Sequence, residues 1–173
     1  MFHRLPGLPA TGPLAEQFSA TGLGKHREGL VVRFEPPGGS PWVGNFQPGL
    51  SDFSTVVHHP DGFHVVVIAG GQGYIVHPHS RVLIEVFGGA VEWCFAMEDP
   101  PLLVEHDGLS FSAFGVKGHL WETPRLSWDG FRHVRIEGGI ITGEAWNPMG
   151  ETWDVFTVHL ATGKASGGSY CAW

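Results

Sequence analysis

Apolar and polar residues along the chain alternate over short stretches, and glycine or proline interrupts most of them. A period near two belongs to strands, whose side chains point to opposite faces in turn. The organising stretch is Phe63-His64-Val65-Val66-Val67-Ile68-Ala69-Gly70-Gly71-Gln72-Gly73-Tyr74-Ile75-Val76-His77-Pro78-His79. Its β-branched runs flank a break in which three glycines accept the positive φ of a tight reversal. With a loop of two or four residues, His64, Val66 and Ile68 share a face with Ile75, His77 and His79. Val65, Val67, Ala69, Tyr74 and Val76 then take the other face. Both faces are apolar, which predicts an interior strand pair with its three histidines gathered at the open end.

Further strands are predicted over 29–34, 41–46, 81–87, 91–97, 102–106, 109–114, 119–122, 131–137, 140–146 and 152–160. Asp107-Gly108 is the strongest short hairpin signal. The stretch 13–20 predicts a helix of about two turns: Pro13 fits an early position, Leu14 and Phe18 sit four apart, and Gly22 ends it. The expected organisation is therefore an irregular N-terminal segment with a short helix over 1–29, and a single all-β domain over 30–173.

The strands group into units beginning near Ser54, Val91 and Phe131, each with about four strands. That repeat predicts antiparallel four-stranded meanders resembling β-propeller blades, in a partial or small propeller; the alternative is a β-sandwich. Three units, or four if 30–53 supply one, are few for a closed ring. Exposed edges then predict that two chains pair as a homodimer. The runs Trp42-Val43-Gly44-Asn45-Phe46-Gln47-Pro48-Gly49 and Thr123-Pro124-Arg125-Leu126-Ser127-Trp128-Asp129-Gly130 resemble those of uncharacterised bacterial proteins with β-propeller-like blade repeats. The resemblance implies a fold and no activity.

Composition agrees: 26 Gly, 13 Pro, 12 Phe and 7 Trp favour short strands and tight turns over helices. Seventeen acids against ten bases give a net charge of −7, which argues against nonspecific binding to nucleic acid or to an anionic membrane. Cys94 and Cys171 form no CxxC pair and no disulfide framework, as expected in a reducing cytoplasm. No signal peptide and no transmembrane span are expected, because no apolar run is long enough.

Three sets of residues are candidates for chemistry. His58, His59, His64, His77 and His79 offer imidazoles to zinc or a similar divalent ion, with His64, His77 and His79 the predicted ligands and Asp61 available to complete the shell. Glu85, Glu92, Glu122 and Glu144 lie in apolar strands, where each carboxylate must face solvent or find a partner such as Arg81, Arg125, Arg132 or Arg135. Of the tryptophans, which include Trp93, Trp121, Trp146, Trp153 and Trp173, Trp42 and Trp128 lie beside turns and are the candidates for a ligand- or partner-facing patch. No phosphate loop, nucleophile elbow or other catalytic signature occurs. The expected function is a non-catalytic binding or self-assembly protein, with no cofactor and an inhibitor- or immunity-like domain that caps a basic partner as one concrete version. The alternatives are a small metal-dependent enzyme built on the histidines, and a carbohydrate- or ligand-binding module built on Trp42 and Trp128.

Overall fold

The computed structural model describes residues 1–22 and 27–170, so Cys171 and Trp173 lie outside the described residues. All regular structure in the described part is strand: sixteen strands form four four-stranded sheets. The all-β expectation is borne out. The chain divides into two compact units, Met1–Glu92 and Trp93–Trp173.

The first unit holds β1 (Phe2–Leu5), β2 (Glu16–Phe18), β3 (Leu30–Phe34), β4 (Trp42–Phe46), β5 (Thr55–His58), β6 (Val65–Ala69), β7 (Gln72–His77) and β8 (Val82–Gly88). Strands β5 to β8 form an antiparallel meander in chain order. Its centre is the β6–β7 hairpin, closed by Gly70-Gly71 with φ of 50° and 84°, so that Ala69 lies opposite Gln72. Positive φ at both central residues gives a turn whose twist matches that of the strands. The even-length loop puts Val67 opposite Tyr74 and Val65 opposite Val76, as the alternation predicts. That face shares one apolar core with Val32, Phe34 and Phe46 of the other sheet. Val66, Ile68 and Ile75, on the opposite face, are buried as well. The pair is interior on both sides.

The other sheet of this unit has the order β1-β3-β4-β2, with β2 parallel to β4, and is not a meander. Here the structure corrects the N-terminal reading. No helix forms over 13–20; Glu16–Phe18 is a strand, with Glu16 opposite Gly44 and Phe18 opposite Phe46. A helix of two turns does not sustain itself in water. The extended segment instead gains ladder bonds to β4 and lays Phe18 on Phe46, ring centroids 4.6 Å apart and nearly parallel. Burying Phe18 is worth about 2–3 kcal/mol, while Leu14 stays in solvent. Residues 2–5 are not irregular either, because Phe2 pairs with Phe34 across β1 and β3. The N-terminal segment thus belongs to the first unit, and the compact division falls after Glu92 rather than before residue 30.

The second unit holds two antiparallel meanders: β9 (Trp93–Glu98), β10 (Pro101–His106), β11 (Phe111–Gly115) and β12 (Gly118–Glu122), then β13 (Phe131–Glu137), β14 (Ile140–Asn147), β15 (Thr152–His159) and β16 (Ala165–Gly167). The Asp107-Gly108 hairpin forms with a four-residue loop that places His106 opposite Phe111. Asp107 Oδ1 accepts the N–H groups of Leu109 (2.9 Å) and Ser110 (3.0 Å), a side chain imitating a backbone turn. Val104, Phe111 and Trp121 of one sheet share a core with Ile141, Phe156 and Val158 of the other. Each unit is therefore a pair of four-stranded sheets over one apolar core.

Candidate functional site

The histidines collect at one end of the first unit, for a reason visible in the register. Val65 pairs with both His58 and Val76. One step further out, the chain places His59 and His77 on either side of His64, with ring centroids 6.0 Å and 5.2 Å from it. The β5–β6 connection is held by His59 N–H donating to His64 C=O (3.0 Å) and Gly62 N–H donating to His59 C=O (2.9 Å). Pro60 and Gly62 suit such a turn, and Asp61 sits at its tip with its side chain folded inward. Asp61 Oδ1 accepts the N–H groups of Phe63 (2.8 Å) and His64 (3.0 Å). Its Oδ2 lies 2.6 Å from His64 Nδ1 and 3.0 Å from His59 Nδ1. Burial works to raise the Asp61 pKa, but the hydrogen bonds from His64 and Phe63 and the nearby His59 outweigh it. The carboxyl is held well below the usual carboxylate range.

His59 is 5% exposed, and its Nε2 is a buried nitrogen without a hydrogen-bond partner. Beside this turn lies a cavity of about 270 Å³, lined among others by Phe2, Phe34, His58, Phe63, His77 and His79. The three predicted ligands thus lie near one another but do not converge. His77 rests its ring against His64, and His79 follows at 6.2 Å from His77. His77 Nδ1 already accepts Ser80 N–H at 3.2 Å. The group whose donor atoms do converge, all within 4.8 Å of one another, is His59, Asp61 and His64.

Of the tryptophan candidates, the structure places Trp42 in the core. Trp42 is 5% exposed, stacks on Phe34 at 4.2 Å, and donates Nε1–H to Pro78 C=O at 2.7 Å. It is a core residue and faces no partner, because β4 turns that side of the strand inward. Trp128 is half-buried, packed edge-on against Tyr170 at 4.9 Å, with the Arg125 guanidinium over both rings.

Of the carboxylates in apolar strands, Glu85, Glu92 and Glu122 are exposed. Glu144 accepts Arg132 Nε–H at 2.7 Å and lies 3.0 Å from His133 Nδ1, and these bonds lower its pKa. The buried carboxyl that sequence reasoning passed over is Glu105, 7% exposed on β10 between Cys94 and Ser112. Burial first, then the charges of Asp107 and Glu122, push it up to about 8 against a weaker pull from Ser112. Its one sequence signal was an acid between Val104 and His106 in an otherwise apolar arm. Next to it, His106 is stacked on Trp93 and set edge-on to Phe111 and Phe131, and burial drops its pKa to about 4. Burial likewise pushes the Cys94 thiol up to about 12, so it is no activated nucleophile.

Fold and site together define an all-β protein of paired four-stranded sheets with a histidine–aspartate turn at one end of its first unit. No family model and no curated protein matches the chain. Among solved structures it is similar to a eukaryotic initiation factor at 7% identity and a TM-score of 0.45, over 82% of this chain and 40% of that one. The chain thus spans less than half the length of that protein. Among the described residues no helix is long and apolar enough to cross a membrane.

Proposed function

We propose that the protein works without catalysis, as a binding module that assembles with a second copy of itself along β8. The reading rests on one observation: β8 is the last strand of its sheet, and its apolar residues Val82, Ile84 and Val86 are 50%, 52% and 36% exposed. An edge strand invites pairing by another chain, and natural sheets guard such edges with charge or proline. On β8 a bulge at Ile84 interrupts the alternation, and three β-branched residues are left exposed beside it. Pairing of two β8 strands about a two-fold axis sets these exposed side chains against those of the second copy. The setting in which we read this is a bacterial cytoplasm, where Cys94 stays a thiol, with the meanders serving as propeller-like blades.

The test is sedimentation of the full chain at low and high salt. Each copy carries −7, so self-association strengthens as salt screens the repulsion. Ile84→Lys, at an exposed position, leaves the fold intact and gives monomers. A chain that stays monomeric at high concentration and high salt, or a dimer indifferent to Ile84→Lys, overturns the reading. The inhibitor-like version, an acidic surface on a basic partner, makes the opposite salt prediction: that affinity falls as salt rises.

A further inference from the structure

We propose that the turn joining β5 to β6 is a binding site for a zinc-like divalent transition-metal ion, with His59, Asp61 and His64 as its protein ligands. Two imidazole nitrogens and one carboxylate oxygen are a donor set that suits zinc, cobalt or nickel, and not the all-oxygen shells of magnesium or calcium. The donors converge: Asp61 Oδ2 stands 2.6 Å from His64 Nδ1 and 3.0 Å from His59 Nδ1. Around a tetrahedral ion with bonds of about 2.0–2.1 Å, neighbouring donors sit roughly 3.3 Å apart. Admitting the ion takes an opening of about 0.7 Å between Asp61 Oδ2 and His64 Nδ1 and of about 0.3 Å towards His59 Nδ1, with the three donor atoms already within 4.8 Å of one another.

The turn is built to hold these atoms before any ion arrives. Asp61 is fixed through its other oxygen by two backbone N–H groups, and the backbone bonds between His59 and His64 tie the two histidines together. This is the preorganisation that a metal site requires. A second observation comes from His59. Asp61 N–H reaches its Nδ1 at 3.3 Å, which calls for a lone pair there, while the Asp61 carboxylate 3.0 Å away calls for a proton on the same nitrogen. A cation between the nitrogen and the oxygen satisfies both lone pairs at once. The other ring nitrogen of His59 is buried and has no hydrogen-bond partner, which leaves Nδ1 as the ligating atom. His77 and His79 stay outside the shell: His77 Nδ1 is engaged by Ser80 N–H, and its ring serves as a packed neighbour to His64. With three protein donors, at least one coordination position is left to solvent or to a ligand.

The experiment titrates tag-free, chelator-dialysed full-length protein with cobalt(II), following the visible absorption of a tetrahedral centre, and then displaces the cobalt with zinc. One equivalent per chain is expected, with magnesium inert. Asp61→Asn keeps an oxygen for the two backbone N–H groups while removing the anionic donor, and His64→Ala removes a ring. Both are expected to weaken binding at least tenfold while circular dichroism stays that of the parent. The double variant His77→Ala/His79→Ala is expected to bind as the parent does. If Asp61→Asn fails to fold, His64→Ala decides alone. Absence of stoichiometric cobalt, binding that survives His64→Ala, or binding lost in the His77→Ala/His79→Ala variant overturns the assignment.

Discussion

Replacing Glu105 by glutamine should stabilise the protein, and by an amount that grows with pH. In the folded chain the Glu105 carboxyl is raised from its ordinary 4.5 to about 8, chiefly because it is buried. Between those values the native state holds a proton that the unfolded state has released. Unfolding free energy then falls as pH rises, by about 1.4 kcal/mol per pH unit. From pH 5 to pH 7 the parent loses about 2.7 kcal/mol through this one group, and the loss stops once pH passes about 8. Glutamine has the same shape, keeps a hydrogen-bonding group beside Ser112 and never ionises, so Glu105→Gln escapes the loss. His106, buried and shifted down to about 4, titrates outside this window in the folded state. Its unfolded-state titration is common to both chains and cancels in the difference. Urea unfolding of both proteins at pH 5, 6, 7 and 8, followed by tryptophan fluorescence, measures the gap. A gap that is constant across the series would refute the reasoning, since it would mean that Glu105 ionises in the folded state as it does in water.

Two further perturbations test the packing. A β-carbon at Gly71 would stand 2.6 Å from Ser51 Oγ and 2.9 Å from Val91 N at a φ of +84°, whereas at Gly138, with φ of +56°, it meets open space. Gly71→Ala is therefore expected to cost about 2–4 kcal/mol and Gly138→Ala about 1–2, by denaturant unfolding, and equal costs would contradict the close approach at Gly71. Tyr74 is fully buried and donates its hydroxyl to Gln47 C=O at 2.7 Å. Tyr74→Phe strands that carbonyl and is expected to lower the denaturation midpoint by the equivalent of about 1–2 kcal/mol, with an unchanged slope.

Much of the architecture could be read from alternation and glycine. The units beginning near Ser54, Val91 and Phe131 became three meanders because their contacts are local: each strand pairs with its chain neighbour across a short turn whose residues announce it. The fourth sheet was not legible for the converse reason. Strand β1 pairs with β3 and β2 with β4 across long stretches of chain, and a three-residue strand carries too little pattern to be told from a helix turn. At the site, alternation placed His64 beside His77 once the loop was even. It said nothing of the convergence of His59 and Asp61 on His64, which depends on an inward-folded turn side chain and not on strand period.

The two tryptophan-bearing runs show why turn-proximal aromatics misled. After β4, the Gln47-Pro48-Gly49 end of the first run docks on the Gly70-Gly71 turn, with Gly49 N–H donating to Ala69 C=O at 3.0 Å and Ser51 N–H to Gly70 C=O at 2.9 Å. The second run docks on the 107–110 loop in the same manner, through Leu126 N–H to Leu109 C=O and Gly130 N–H to Gly108 C=O, both 2.8 Å. Each run fastens a connecting segment to the hairpin turn of a meander. Gly49 is needed there for close backbone approach, since a β-carbon would collide with Gly89 C=O, whereas Trp42 lies at the far end of β4 and donates to Pro78 C=O beyond β7. The binding-loop look of these runs is thus a consequence of how the sheets are joined. What remains without a structural purpose of that kind is the exposed apolar residues of the edge strand β8, whose burial would stabilise an assembly, and the His59–Asp61–His64 turn, whose donors converge at some cost to His59. A function for this chain has to be sought at those two places.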